Sequence, residues 1–222
     1  SVGSKISSAG QRAHRDPQSV TLVAVTKAVS NRVAAILPAL GVSDLGENRP
    51  QELWKKSEIP NVRWHFIGHL QSNKCRDAVE LFEMIQSVDS LSLAQEINKR
   101  AEQAAKTMPI LLEVNVAGEA SKFGYKPEQL LADLKTINSL PRLEIHGLMA
   151  VPPFSPLPEK SRPYFQTLSQ LKLQAEQMLG APLLHLSMGM SGDFEIAIEE
   201  GATIVRVGTA LFGERQYRKE PI

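Results

Sequence analysis

Three stretches of this sequence carry residue types that could do chemistry together. In "LVAVTKAVS" (22–30), four of the five residues before Lys27 are Leu, Val or Ala, and a segment of helical character opens just after it. An ammonium group at the end of a buried run is desolvated. That disfavours its charged form and leaves the amine able to attack a carbonyl and form a Schiff base. A lysine that only snorkels to solvent is the plainer alternative. Far along the chain, "SMGMSGD" (187–193) supplies Ser187, Ser191 and two glycines directly before a helical stretch. "GTALFG" (208–213) supplies Gly208 and Thr209 at the start of a last turn. Backbone N–H groups at such starts bind phosphate through hydrogen bonds and the helix dipole, although Ser191 and Asp193 could serve only as caps.

An amine facing a phosphate cradle fits a phosphorylated aldehyde. Pyridoxal 5′-phosphate is one such ligand; a sugar phosphate on an aldolase-type lysine is another. Arg206 helps to choose between them. It lies in "IVRVG", where period 2 sets it on one face with Ile204 and Gly208. A guanidinium inside an apolar strand is costly unless partnered. Asp or Arg is the partner of the pyridine nitrogen in pyridoxal enzymes. The alternative is a bracing ion pair with Glu113.

These residues meet only if the chain brings its strand ends to one rim. Short apolar runs at 20–26, 42–47, 62–68, 83–88, 108–116, 143–150, 183–189 and 203–208 alternate with segments of helical period. Leu93, Ile97, Ala101 and Ala104 form one helical stripe; Leu130, Leu134 and Ile137 form a second; Leu168, Leu171, Ala175 and Met178 form a third. Eight such units predict a parallel sheet closed into a (β/α)8 TIM barrel, whose reactive groups sit at the carboxyl ends of the strands. An open doubly wound sheet is the structural alternative. Val2, Ile6, Ala9 and Ala13 predict an extra N-terminal helix. The proline-rich stretch "VPPFSPLPEKSRP" (151–163) reads as a loop between one strand and its helix, so residues 1–222 are expected to form a single domain.

Composition narrows the function. Lys plus Arg total 25 against 24 Asp plus Glu, with no block of like charge, which argues against nucleic acid as the main partner. The single cysteine, Cys75, allows no intrachain disulfide and favours a reducing compartment. No apolar run reaches the roughly 20 residues that cross a bilayer, and the first residues lack a signal-peptide pattern. A cytoplasmic protein is expected. His65 and His69 have a metal-like i, i+4 spacing but straddle a strand end and a glycine turn, and no Cys or carboxylate cluster completes a site. No metal is expected. His146 and His185 read as hydrogen-bonded barrel residues, and Lys122 as an exposed loop lysine.

The strings "AVTKAVS", "LGENRPQEL", "WHFIGHLQSNK", "HGLMAV" and "LSMGMSGDFEIAIEEGATIVRVGTALFG" resemble the YggS/PROSC group of pyridoxal 5′-phosphate homeostasis proteins, in order from about Leu22 to Gly213. The resemblance implies a fold-type III barrel related to the N-terminal domain of alanine racemase. It implies that Lys27 carries pyridoxal 5′-phosphate as a Schiff base. Ser187 and Ser191, with the backbone around Met188, Gly208 and Thr209, would hold the phosphate. Arg206 would face the pyridine nitrogen, Met149 would pack near the ring, and Asn48 would lie near the reactive edge. It further implies a carrier in vitamin B6 and amino-acid or keto-acid balance with no catalytic residue, and amino acids and apoenzymes as candidate partners. A racemase-like enzyme is the alternative. Racemases add a second base, a tyrosine, and a C-terminal β-domain. This chain ends soon after its last strand, and its tyrosines, Tyr125, Tyr164 and Tyr217, sit at no assigned strand end. A monomer is therefore expected.

Overall fold

In the computed structural model of the chain, residues 1–54, 56 and 58–213 are described. Among them, eight strands pair in parallel and in chain order: β1 (Thr21–Val25), β2 (Asp44–Glu47), β3 (Arg63–Phe66), β4 (Met84–Val88), β5 (Met108–Val114), β6 (Leu143–Ala150), β7 (His185–Ser187) and β8 (Ile204–Val207). β8 returns to pair with β1, Arg206 opposite Val23, so the sheet closes into the expected barrel rather than an open sheet.

Each expected strand run is found, because unbroken apolar runs can be buried on both faces. Alternation then sorts them. Val23, Met84, Leu111, Met149 and Ile204 point inward and pack into a small plug inside the barrel. Ala24, Leu45, Phe66, Ile85, Leu112, Leu148 and Val205 belong to a larger core that the helices cover.

The long helices follow their stripes. In α5 (Leu91–Gln103) Leu93, Ile97 and Ala101 are buried, and in α6 (Pro127–Asn138) Leu130, Leu134 and Ile137 are. In α7 (Arg162–Leu179) Leu168, Leu171 and Ala175 are buried, but Met178 is 39% exposed, a correction to its expected place in the stripe. Ala104 likewise lies exposed, at the cap just beyond α5. Both sit at a helix end, where the last turn overhangs the layer below.

The N-terminal helix α1 (Val2–Arg12) buries Val2, Ile6 and Ala9. It lies against α8 (Phe194–Glu199), with Arg12 paired to Glu195 and Glu199. Helices in the first half of the barrel are shorter than their segments suggest. α2 (Asn31–Ala34) stops before Pro38, which has no N–H to continue it and instead starts a 3-10 turn closed by Gly41 at φ 81°. α3 (Pro50–Leu53) and α4 (Cys75–Leu81) are single short pieces. The short α9 (Thr209–Phe212) follows β8.

One glycine limits how closely two strands approach. A Cβ on Gly147, in β6, would stand 1.9 Å from the carbonyl oxygen of His185 in β7. No rotamer relieves a clash between a Cβ and backbone. Gly147→Ala is expected to lower the urea-unfolding free energy by about 3 kcal/mol or more. A loss below about 1 kcal/mol would show that β6 and β7 can separate at little cost.

Candidate functional site

At the carboxyl ends of β1 and β8, a cavity of about 250 Å³ opens to solvent. Lys27, Val25, Arg206, Gly208 and Thr209 line one side, and the loop Met190–Asp193 lines the other. Residues Pro152–Ser155 of the proline-rich loop after β6 complete the wall. Five of the residues singled out from sequence are thus brought together: Lys27, Ser191, Arg206, Gly208 and Thr209.

Lys27 is half-buried and sits in a tight turn. The Val29 N–H donates to the Thr26 carbonyl at 2.9 Å, and Ala28 takes a left-handed φ of 63°. A non-glycine residue there carries strain of about 1 kcal/mol or more. Two buried groups outside the barrel wall hold the turn. The Lys56 ammonium, 5% exposed, donates to the Thr26 carbonyl at 2.8 Å and to Glu47 Oε1 at 2.6 Å. Thr26 Oγ1 donates to the same carboxylate oxygen at 2.6 Å. Glu47 is fully buried, and burial holds its carboxyl above the ordinary range despite both donors. Its Oε2 has no hydrogen-bond partner among the described residues.

The phosphate-type loops interlock. Ser191 Oγ accepts the N–H groups of Gly208 and Ala210, both at 3.2 Å. Ser191 therefore caps the start of α9 and not, as sequence suggested, α8. Asp193 turns back to accept the Met190 N–H at 2.8 Å and the Ser161 hydroxyl at 2.8 Å. Gly189, at φ 92°, lets this loop lie against α8, where a Cβ would come within 2.5 Å of the Ala197 Cβ. A Cβ on Gly192 would meet nothing within 4 Å, so that edge of the cavity is left open by its glycine.

Four other expected residues lie elsewhere. Ser187 is fully buried below the cavity; its hydroxyl donates to Gln86 Oε1 and accepts from the Arg206 guanidinium. Met188 points into the outer core, and its N–H is committed to the Ile204 carbonyl at 3.1 Å. Neither Ser187 Oγ nor Met188 N is left to face a phosphate. Met149 belongs to the plug beneath the cavity. Asn48 sits beside Gly68 and does not line the cavity; a Cβ on Gly68 would approach its backbone oxygen to 2.4 Å.

Arg206 is 4% exposed, and burial lowers its pKa to about 10. Besides Ser187, it donates to the Ala150 carbonyl at 2.9 Å. No carboxylate lies within ion-pair distance of it among the described residues, so the alternative reading, a bracing pair with Glu113, is not what forms. Glu113 occupies the far side of the rim. Its carboxyl is raised to about 7 by burial and by Asp89, against the weaker pull of Arg206. Nearby, His69 pairs with Asp89 at 3.3 Å and stacks on Phe123 at 3.5 Å between centroids. His65 instead faces Asp44 inside the barrel, so the two histidines do not converge. Tyr125 is buried, its hydroxyl without a partner among the described residues, and burial pushes its pKa well up. Tyr217 lies outside the described residues. No helix among them is long and apolar enough to cross a membrane.

Sequence reasoning missed Lys56, Gln86 and the interior role of His65. A glutamate closing the short strand "SDLGE" was the one available sign that a cation must be buried nearby.

Comparison with known proteins adds a frame to this geometry. The alanine racemase N-terminal domain family matches residues 5–216. A pyridoxal phosphate homeostasis protein of Aquifex aeolicus is 44% identical over 96% of this chain and 95% of its own. The structure of PipY from Synechococcus elongatus with pyridoxal phosphate bound superposes with a TM-score of 0.84 at 34% identity, covering 96% of this chain and 100% of that one. An alanine racemase of Clostridium difficile shares the fold alone, with a TM-score of 0.74 at 16% identity, covering 97% of this chain and 56% of that one.

The half-buried carboxyl of Glu113 makes a measurable prediction. The folded value for Glu113, about 7, lies above the ordinary 4.5, so the folded chain keeps a proton that the unfolded chain releases between them. Its contribution to stability is present below pH 4.5 and is lost as pH rises through about 7. With partial exposure allowed for, that loss is about 2 kcal/mol. Glu113→Gln should therefore gain on the wild type by about 2 kcal/mol between pH 4.5 and 8 in urea unfolding. Parallel pH profiles for the two proteins would refute it.

Proposed function

The chain belongs to the alanine racemase N-terminal domain family and, within it, to the pyridoxal phosphate homeostasis proteins; on that premise we propose that it binds pyridoxal 5′-phosphate and serves intracellular pyridoxal phosphate homeostasis, with Lys27 as the attachment point. The observation that carries this reading is a buried guanidinium and a lysine amine on one small cavity wall, opposite the loop that caps the last helical turn.

The residues present fit that ligand. Arg206 is a buried cation with hydrogen-bond partners but no carboxylate counter-ion among the described residues, so a lone pair or an anion in the cavity would complete it. Ser191, Gly192 and Thr209 offer hydroxyls and backbone donors on the wall, a set suited to phosphate, while the Gly208 N–H is held by Ser191 Oγ. The cofactor supplies an aldehyde that condenses with a primary amine. The chain supplies the rest. Lys27 presents that amine from a turn fixed by Lys56 and Glu47, Arg206 would meet the ring nitrogen, and the β7 and β8 loops would hold the ester. Ser187 supports Arg206 from below rather than touching the phosphate.

The same arrangement supports a carrier rather than a catalyst. A guanidinium donor at the ring nitrogen opposes ring protonation, since both groups would be cationic. That weakens the electron sink on which carbanion chemistry depends. Tyr125, buried and with its proton held more tightly than usual, is poorly suited to act as a second base. Amino acids and apoenzymes are the further partners this reading assigns. A reducing cytoplasm accords with a lone, buried Cys75, and a monomer is the assembly this reading assigns.

Borohydride treatment with pyridoxal 5′-phosphate should fix a pyridoxyl adduct on Lys27, located by peptide mass spectrometry, and Lys27→Ala should abolish it along with the visible absorption band. Pyridoxal without its phosphate should bind at least about a hundredfold more weakly, having lost two or more charge-assisted hydrogen bonds. Adduct formation spread over surface lysines, or equal affinity for the two aldehydes, would sink the proposal. Sustained turnover across a panel of amino acids would replace the carrier with an enzyme.

A further inference from the structure

The interior of the barrel holds an unbroken chain of polar side chains that ends at the cavity. Arg63, exposed at the amino end of β3, donates to Asp44 Oδ2 at 2.7 Å. Asp44 Oδ1 meets His65 Nε2 at 2.9 Å, and His65 Nδ1 meets Gln86 Nε2 at 2.9 Å. Gln86 Oε1 accepts from the Ser187 hydroxyl, which accepts in turn from Arg206. The four linking residues, Asp44, His65, Gln86 and Ser187, are each 6% exposed or less. They come from β2, β3, β4 and β7, so the chain crosses the barrel from the start of β2 to the rim at β8.

The chemistry of one end fixes every direction along it. A guanidinium only donates, so Ser187 must accept from Arg206 and give its own proton to Gln86 Oε1. The amide then presents its N–H to His65 Nδ1, which must be an acceptor. His65 is left with its proton on Nε2, donated to Asp44. The opposite amide orientation would put two donors on Ser187 and leave its hydroxyl proton with no acceptor, at the cost of a buried unsatisfied group. The chain therefore works as one oriented unit.

We propose that His65 and Gln86 are positioning residues: through Ser187 they hold the Arg206 guanidinium in the orientation that meets the ligand's ring nitrogen. This rests on the cofactor reading of the cavity. Neither residue lines the cavity, so their influence travels only through hydrogen bonds. The relay also accounts for Ser187, which the cavity wall does not use.

The test has a ligand-free arm and a loaded arm. In the protein without ligand, long-range ¹H–¹⁵N correlation should show His65 protonated on Nε2 alone, and in Gln86→Glu it should show the imidazolium, because the introduced carboxylate accepts from both neighbours. In the loaded arm, Gln86→Leu should weaken pyridoxal 5′-phosphate by about tenfold and shift the visible band in the direction that Ser187→Ala shifts it. The two changes should be non-additive when combined, and Gln86→Glu should restore most of the affinity. Should Gln86→Leu unfold, His65→Gln in place of it tests the same link. A proton on His65 Nδ1 in the wild-type protein, additive effects, or a wild-type spectrum in both interior variants overturns the relay. Wild-type protein that takes up no aldehyde instead overturns the cofactor reading, and the ligand-free spectra still judge the hydrogen-bond order.

Discussion

A guanidinium inside a barrel must be given partners, and the layout of this molecule follows from where Arg206 finds them. It sits on the inward face of β8, one step above Ile204 and the apolar plug. Below it the barrel supplies a hydroxyl and a peptide carbonyl, Ser187 Oγ and Ala150 O. Both are neutral acceptors, and among the described residues no carboxylate pairs directly with the positive charge at the floor of the cavity. Burial draws its pKa down to about 10 against the opposing pull of Glu113 and Asp193, still well above neutrality, and the group remains a cation. A site floored by such a buried cation is prepared for an electron-rich ligand before any ligand arrives.

Two polar networks flank the barrel wall at β1 and β2, and they do different work. Outside the wall, Glu47, Thr26 and Lys56 form a compact ion pair that holds the carbonyl before Lys27. That contact helps to keep Ala28 in its left-handed turn, where strain persists only because neighbours over-determine it. Inside the wall, the chain from Asp44 to Ser187 is directional and reaches the opposite side of the cavity. One network sets the amine and the other the guanidinium. Between them lies a strand whose inward residues, Val23 and Val25, are apolar.

The structure also shows what a closed barrel demands of its sequence. Inner volume is scarce, so Gly46 gives way to Val23, its absent Cβ falling 2.9 Å from a Val23 methyl. Gly147 lets β6 and β7 close up at the same level as His185. With the plug below and the polar chain threaded past it, a ligand has room only at the rim, where strands end and loops begin. Placing function there separates it from the packing that keeps the barrel closed.

The sequence by itself determined the eight strands, their alternation and the rim as the place for chemistry, because long apolar runs and strand-end positions depend only on local order. It also singled out Lys27, Ser191, Arg206, Gly208 and Thr209, which line the cavity at the ends of β1, β7 and β8. It could not pair residues across the barrel. Ser187 and Gln86 are 101 positions apart, and only the stagger of the closed sheet places them in contact. The same stagger put Ser187 beneath Arg206, committed the Met188 N–H to Ile204, and kept Glu113, the alternative partner, beyond ion-pair distance of the guanidinium. Which layer a side chain occupies is a property of the closed barrel, since shear between strands is fixed only when the last one meets the first.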